Sequence, residues 1–310
     1  MQIEASAAVE TDRTFGGVTV LVGERNGKYP HGNSILVRGR DARLIMDPSL
    51  AVVARAAELR GAADLVLLSH VHEDHIAGMS LFPDAAVHAH SADLTGLRSL
   101  DGLMQMYGAY AEEGSLAAAT RAYVTETFHY CARADAQGFE NGAVFDLGGC
   151  QVRVFHTPGH TRGHSALLVE PEGILFLGDI DLTSFGPYYG DAWSDLTDFE
   201  RSLERLRGIE ARTWVSFHQA GIVEDAGDFA AKLAAFAAKI RARDEAIVAF
   251  LEEPHSIDEM VAHRFVYRPD AQVPYLDAVE QRMITQHLSR LVAQGRVAEV
   301  EPGRYRCAAG

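Results

Sequence analysis

The segment Ser69-His70-Val71-His72-Glu73-Asp74-His75 decides the reading of this chain. It follows Leu65-Val66-Leu67-Leu68, a short uncharged run bounded by Asp64 and Ser69, as expected of a strand buried on both faces. In open α/β sheets ligands gather at the carboxyl ends of strands, so a histidine directly after such a strand is placed for chemistry. His70, His72, Asp74 and His75 form the pattern H-x-H-x-D-H, and with 14 histidines in 310 residues chance produces it on the order of 2 × 10⁻³ times per chain. Alternate residues of an extended loop point the same way, so His70 and His72 can share one cation while Asp74 and His75 turn toward a second. Imidazole nitrogen and carboxylate oxygen both suit zinc at roughly 2.0–2.2 Å, and imidazole also suits iron. Two cations about 3.5–4 Å apart can share a water that ionises near neutral pH, which supplies a nucleophile without any side chain.

Closing such a site needs three further ligands, and each is offered at the end of an expected strand. His160 lies on the turn Thr157-Pro158-Gly159-His160-Thr161, Asp179 ends Phe176-Leu177-Gly178-Asp179, and His218 ends Ser216-Phe217-His218. A carboxylate such as Asp179 is well suited to bridging two metals.

Outward from these motifs, β-branched runs bounded by Gly and Pro predict strands at residues 17–22, 34–37, 42–46, 151–155, 165–169, 174–177 and 213–217. Helical patterns cover residues 51–60, 195–207 and 228–243. Residues 91–139, at the approximate bounds of the segment, read as a helical insertion whose Tyr107, Tyr110, Tyr123 and Tyr130 could cap a cleft or form a homodimer surface. A boundary near residues 251–254 divides the chain into a catalytic domain, 1–250, and a C-terminal module, 251–310. In that module a helix start at Ser256-Ile257-Asp258-Glu259, a helix over residues 275–293 and a hairpin around Pro302-Gly303 are expected.

The hydrophobic fraction of 47% and the charged fraction of 23% fit a globular chain. No apolar run reaches the ~18 residues a membrane span needs, and residues 1–4 do not open a secretory signal, so a cytoplasmic location is expected. Cys131, Cys150 and Cys307 are odd in number and lack C-x-x-C spacing, which argues for reduced thiols rather than disulfides or thiolate metal ligands. A formal net charge of −15 repels polyphosphate backbones, so the expected partner is a small-molecule substrate and not a nucleic acid.

The run from Asn33 to His218 resembles the metallo-β-lactamase superfamily, especially its glyoxalase II-like hydrolases. G-N-S-I-L-V at 32–37, the S-H-x-H-x-D-H loop, T-P-G-H-T-x-G-H at 157–164, L-G-D at 177–179 and a last strand-end histidine occur in the family's order. The resemblance implies an α/β fold, an αβ/βα sandwich of two mixed sheets between outer helices with the site at one rim. It implies that His70, His72 and His160 hold one metal, that Asp74, His75 and His218 hold the other, and that Asp179 bridges. Asp74 and Asp179 then serve catalysis through the metals, two divalent ions for which zinc is the first choice and iron or manganese the alternatives. The C-terminal module resembles the small winged helix appended to some members. Its would-be recognition helix carries Asp277 and Glu280 against Arg282 and Arg290, so packing on the catalytic domain is expected rather than DNA binding. Two positions depart from the family pattern: Asp47-Pro48-Ser49 replaces an aspartate-threonine-glycine turn, and Gln219-Ala220 follows the last histidine where glycine is usual.

Around the ligands, His31, Tyr188 and Tyr189 are expected to line the substrate cleft, and Glu73 to have an outward or structural role. His88, His90 and His164 are expected to be structural, and Asp181 to orient a ligand or protonate a leaving group. The activity these readings favour is hydrolysis of a small ester-type bond, a thioester or lactone, by water activated between the metals. The alternatives are a persulfide dioxygenase with one iron and a metal-dependent ribonuclease or phosphodiesterase.

Overall fold

The computed structural model describes residues 11–109, 115–269, 271 and 275–308; residues 1–4, read above for a leader, and Tyr110 lie outside the described residues. Seven strands, Arg13–Phe15 (β1), Val18–Leu21 (β2), Ser34–Arg38 (β3), Arg43–Met46 (β4), Leu65–Leu67 (β5), Ala86–His90 (β6) and Gln137–Phe139 (β7), pair in sequence order. β1 to β4 are antiparallel, and β4 to β7 are parallel. A second sheet contains Val144–Asp146 (β8), Gln151–His156 (β9), Ser165–Glu170 (β10), Ile174–Phe176 (β11), Thr213–Val215 (β12) and Ile222–Val223 (β13), again in order. Only its β11–β12 pair is parallel.

The period-2 alternation of side chains explains how these strands are buried on both faces. In β3 Ile35 and Val37, in β4 Leu44 and Met46, and in β10 Leu167 and Val169 point into one apolar layer between the sheets. Their neighbours Leu36 and Ile45 point outward into a cluster with the helices over the first sheet. Ala166 and Leu168 point into the corresponding cluster over the second, which Phe199, Leu203, Phe229 and Phe236 complete from the helices Leu196–Leu206 and Ala226–Phe250. The result is the helix–sheet–sheet–helix sandwich expected.

Three local expectations need correction. The helix expected over residues 51–60 is two short turns, Leu50–Val53 and Ala56–Leu59, parted at Arg55, whose guanidinium is drawn to Asp12 and the Val22 carbonyl. The insertion is helical only as far as Glu126, through Leu94–Arg98, Leu100–Tyr107 and Ser115–Glu126, and its end joins the first sheet as β7. The second-sheet helix runs to Phe250 rather than 243, and its last turns, through Ile247, already belong to the C-terminal apolar cluster.

The C-terminal residues form the helices Ile257–His263 and Leu276–Ala293 and a small sheet in which Arg304–Cys307 lies between His255–Ser256 and Val297–Glu301. A capping box, with Ser256 and Glu259 exchanging side-chain and backbone bonds, starts the first helix where its sequence signature sits. The second helix buries Ile284, Leu288 and Leu291 within this segment and Val279 and Met283 against the second sheet's helices. No helix among the described residues is long and apolar enough to cross a membrane.

Candidate metal centre

Strand ends meet at one rim. The loop after β5 carries His70, His72, Asp74 and His75; the turn after β9 carries His160; Asp179 follows β11 and His218 follows β12. All seven are nearly or wholly buried. Gly178, just before Asp179, has φ +54°, and a Cβ there would come within 2.7 Å of His164 Nε2 and 2.8 Å of Ser69 Oγ. Replacing it with alanine is expected to lower stability by at least about 1–2 kcal/mol. It should also weaken metal binding, because His164, which accepts the Asp179 N–H at 3.1 Å, must shift; paired thermal melts and metal titrations test both effects.

Asp179 stands at the centre. Its Oδ1 lies 2.9 Å from His75 Nε2 and 3.8 Å from His218 Nε2, and its Oδ2 lies 3.2 Å from His160 Nε2 and 4.0 Å from His70 Nε2. One half of the cluster is therefore His70, His72 and His160; the other is Asp74, His75 and His218, with His218 Nε2 3.1 Å from Asp74 Oδ2.

The outer ring nitrogens are tied down, which turns the others inward. His75 Nδ1 bonds Asp47 at 2.7 Å, His160 Nδ1 bonds the Tyr188 carbonyl at 3.0 Å, and His218 Nδ1 bonds the carbonyls of Gly27 and His31 at 2.7 and 3.0 Å. His70 Nδ1 contacts Ser69 Oγ at 3.1 Å. His72 is reversed: its Nε2 faces Asp191 at 2.9 Å, and its Nδ1 lies 3.0 Å from His160 Nε2.

This donor set fits divalent cations. Two ligands of one tetrahedral ion at ~2.0–2.1 Å sit roughly 3.3 Å apart, close to the His72–His160 spacing. His70 Nε2 is buried without a hydrogen-bond partner and faces the cluster. The electrostatics agree, because the carboxylates hold positive charge here against desolvation. Burial opposes a proton on His75, yet Asp179, Asp74 and Asp47 outweigh it and lift its pKa to about 10. Burial is likewise overcome at His72, chiefly by Asp191, which lifts it to about 9. Burial, reinforced by Asp179, pushes the Asp181 carboxyl up to about 7.

Several supporting residues were not legible in advance. Asp47, fully buried, also accepts from the Ser69 N–H and hydroxyl. Buried Asp93 accepts from Thr161, the Gly163 N–H and the Val71 N–H, which joins the His160 turn to the first ligand loop. Asp191 and Asp93 lie far in sequence from every motif and carried no local signal.

A cavity of about 430 Å³ opens over the cluster. Tyr188 lines it. Tyr189 does not: it is fully buried in the core over the second sheet, with its hydroxyl held by His287 at 2.7 Å and Arg243 at 2.9 Å. His31 is also displaced, because its ring turns to Glu24 and only its carbonyl reaches the site, through His218. Glu73 lines the cavity instead of facing outward, accepting from the hydroxyls of Tyr29, at 3.0 Å, and Tyr107. The tyrosines of the insertion divide: Tyr107 and Tyr123 line the cavity, whereas Tyr130 bonds the Gly96 carbonyl. His90 stacks on His156, His88 packs on Phe145, and the three cysteines are free.

The loop at residues 185–191 is held from behind by the C-terminal half of the chain. Arg243 donates to the carbonyls of Phe185 and Pro187, Gln286 to that of Tyr189, and Arg282 to that of Gly190. The same loop delivers the Tyr188 carbonyl to His160 and Asp191 to His72.

Comparisons with known proteins agree with this architecture. The chain is 29% identical to the acyl-coenzyme A thioesterase MBLAC2 of Gallus gallus over 205 residues, 59% of this chain and 70% of the relative. It is 32% identical to the hydroxyacylglutathione hydrolase of Methylococcus capsulatus over 138 residues, 43% of this chain and 52% of the relative. Among solved structures, a metallo-beta-lactamase family protein from Thermus thermophilus superposes with a TM-score of 0.68 at 25% identity, over 94% of this chain and 98% of that one. The profile of the metallo-beta-lactamase superfamily matches residues 29–218. With that match spanning more than half its length, the chain belongs to the metallo-beta-lactamase superfamily.

Proposed function

We propose that the protein is a thioesterase that uses two divalent metal ions, zinc the first candidate, to hydrolyse a small-molecule thioester. The observation that carries the reading is Asp179, whose two oxygens face two separate triads of inward-turned donors at the floor of an open cavity. The thioesterase and hydroxyacylglutathione hydrolase relatives support the choice of bond. His70, His72 and His160 would hold one ion and Asp74, His75 and His218 the other, with Asp179 between them. When bound, the ions supply Lewis acidity that polarises the thioester carbonyl and lowers the pKa of water.

The chain's own contribution is orientation. Asp47, the Tyr188 carbonyl and the carbonyls of Gly27 and His31 hold the outer nitrogens of His75, His160 and His218 and so turn their Nε2 atoms toward the centre, where they would meet the ions. A thiol of pKa ~8.5 leaves readily as thiolate near neutral pH, so the walls need supply no strong general acid.

Elemental analysis of the purified protein, run beside a thioester panel followed by thiol release, tests the proposal. About two transition-metal ions per chain are expected, with turnover abolished by chelation and restored by zinc. Full thioesterase activity in metal-free protein would refute it, and so would a single iron per chain with oxygen consumption on a persulfide substrate.

A further inference from the structure

Aromatic side chains are the commonest feature of the walls of the cavity above the candidate metal centre. Tyr29, Tyr107 and Tyr123 come from the N-terminal half, and Tyr188, Tyr267 and Tyr275 from the C-terminal half, joined by Phe185 and Val279. Their polar atoms are largely spent on one another. The hydroxyls of Tyr29 and Tyr107 cap Glu73, the Tyr188 hydroxyl donates to Asp191, and the Arg282 guanidinium donates to the carbonyls of Gly190 and Gly108. Ring face and aliphatic surface then make up much of what faces the cavity, with Asp181 beside the metal-ligand cluster at its floor. A second observation points the same way. Of the six large apolar side chains exposed among the described residues, the three aromatic ones, Tyr29, Tyr123 and Phe185, lie on this one cavity, at 40%, 37% and 40% exposure. Exposed apolar side chains gathered around a concave opening mark a surface that is covered when ligand binds.

We infer that the acyl group of the substrate occupies this chamber and is bulky, apolar and uncharged, an aromatic or alicyclic acyl group rather than a short hydroxyacyl or dicarboxylic one. This rests on the thioesterase reading above and goes beyond it by naming the acyl class. The chamber opens directly onto Asp74, Asp179 and His218, so an acyl group held by the rings brings its carbonyl to the cluster. A free carboxylate on the acyl chain would face the carboxyl groups of Glu73, Asp181 and Asp191, while Arg282, the arginine of the lining, already donates to the carbonyls of Gly190 and Gly108, so its burial there is costly. The C-terminal residues Tyr267, Tyr275 and Val279 form one side of the chamber, so selectivity is written partly outside the segment that carries the metal ligands.

The experiment compares kcat/KM of the metal-loaded protein for thioesters of one small neutral thiol, N-acetylcysteamine, carrying acetyl, lactoyl, succinyl, phenylacetyl and cyclohexylacetyl groups. The two ring-bearing substrates are expected to exceed acetyl and lactoyl by about tenfold or more, since apolar groups in a fitted pocket discriminate by roughly 10–200-fold, and succinyl should be poorest. Phe185→Ala, which removes an exposed ring of the chamber, should lower the phenylacetyl-to-acetyl ratio about tenfold. Tyr123→Ala, at a partly exposed position where folding is not at stake, should lower the same ratio severalfold. Turnover with equal or higher kcat/KM for acetyl, lactoyl or succinyl overturns the chamber assignment while leaving the thioesterase reading intact, and so does a ratio that neither variant moves. Absence of turnover on every member overturns the thioesterase reading itself, and the acyl assignment with it.

Discussion

Asp179→Asn is expected to lower thioesterase turnover on the order of 10³-fold and to lower the metal content of the purified protein. The side chain keeps its volume, so packing barely changes, but the centre loses its charge and one of two acceptors. An amide offers one oxygen and one N–H₂ group. Whichever way it turns, the N–H₂ meets inward-facing imidazole nitrogens, His75 and His218 on one side or His160 and His70 on the other. A donor set that held positive charge on both sides of one carboxylate then retains at most half of it. Metal analysis and steady-state kinetics on the same preparation check this, and a variant with full metal content and near-native turnover would remove Asp179 from the centre of the mechanism.

Asp47→Asn tests the layer behind the ligands and should reduce metal affinity about 10–100-fold. Asp47 adopts φ +45°, a left-handed conformation that asparagine tolerates, so the backbone is expected to hold and the chemistry alone to change. The carboxylate accepts from the Ser69 N–H, the Ser69 hydroxyl and His75 Nδ1, all in a fully buried setting. An amide cannot accept from all three, and the unmet donor costs about 1–3 kcal/mol. Competition with a chelator of known zinc affinity and a thermal melt of the metal-free form separate the two effects. A metal affinity unchanged within about twofold would show that His75 needs no such orientation.

The two departures from the family pattern read differently once the structure is considered. The Asp47 turn keeps its carboxylate under His75 even with Pro48 and Ser49 in place of threonine and glycine, and Ser49 takes on a structural task by accepting from the Ala51 N–H. Gln219 reaches φ +40° without being glycine.

Strand ends were the legible part of this chain. β-Branched and uncharged apolar runs and the residues punctuating them located β2 to β5 and β9 to β12 within a residue or two, and since the ligands sit on strand ends they came with them. Side-chain direction in loops was not legible. Glu73 is flanked by ligands, and nothing in its neighbours says that Tyr29 and Tyr107, distant in sequence, will turn it into the cavity. Tyr188 and Tyr189 differ by one position on one loop, and only the distant partners His287 and Arg243 decide that the second enters the core. Long-range hydrogen bonds leave no local period to read.

The tether on residues 185–191 has a thermodynamic consequence. Arg243, Arg282, Gln286 and His287 grip the back of a loop whose front supports His160 and His72. On the proposed two-metal reading, free energy that bound ions gained from a loop already in place would, by linkage, return in part as added stability of the Leu276–Ala293 helix. Loosening that helix and removing ions from the site would then be coupled, each lowering the other's hold through residues 185–191.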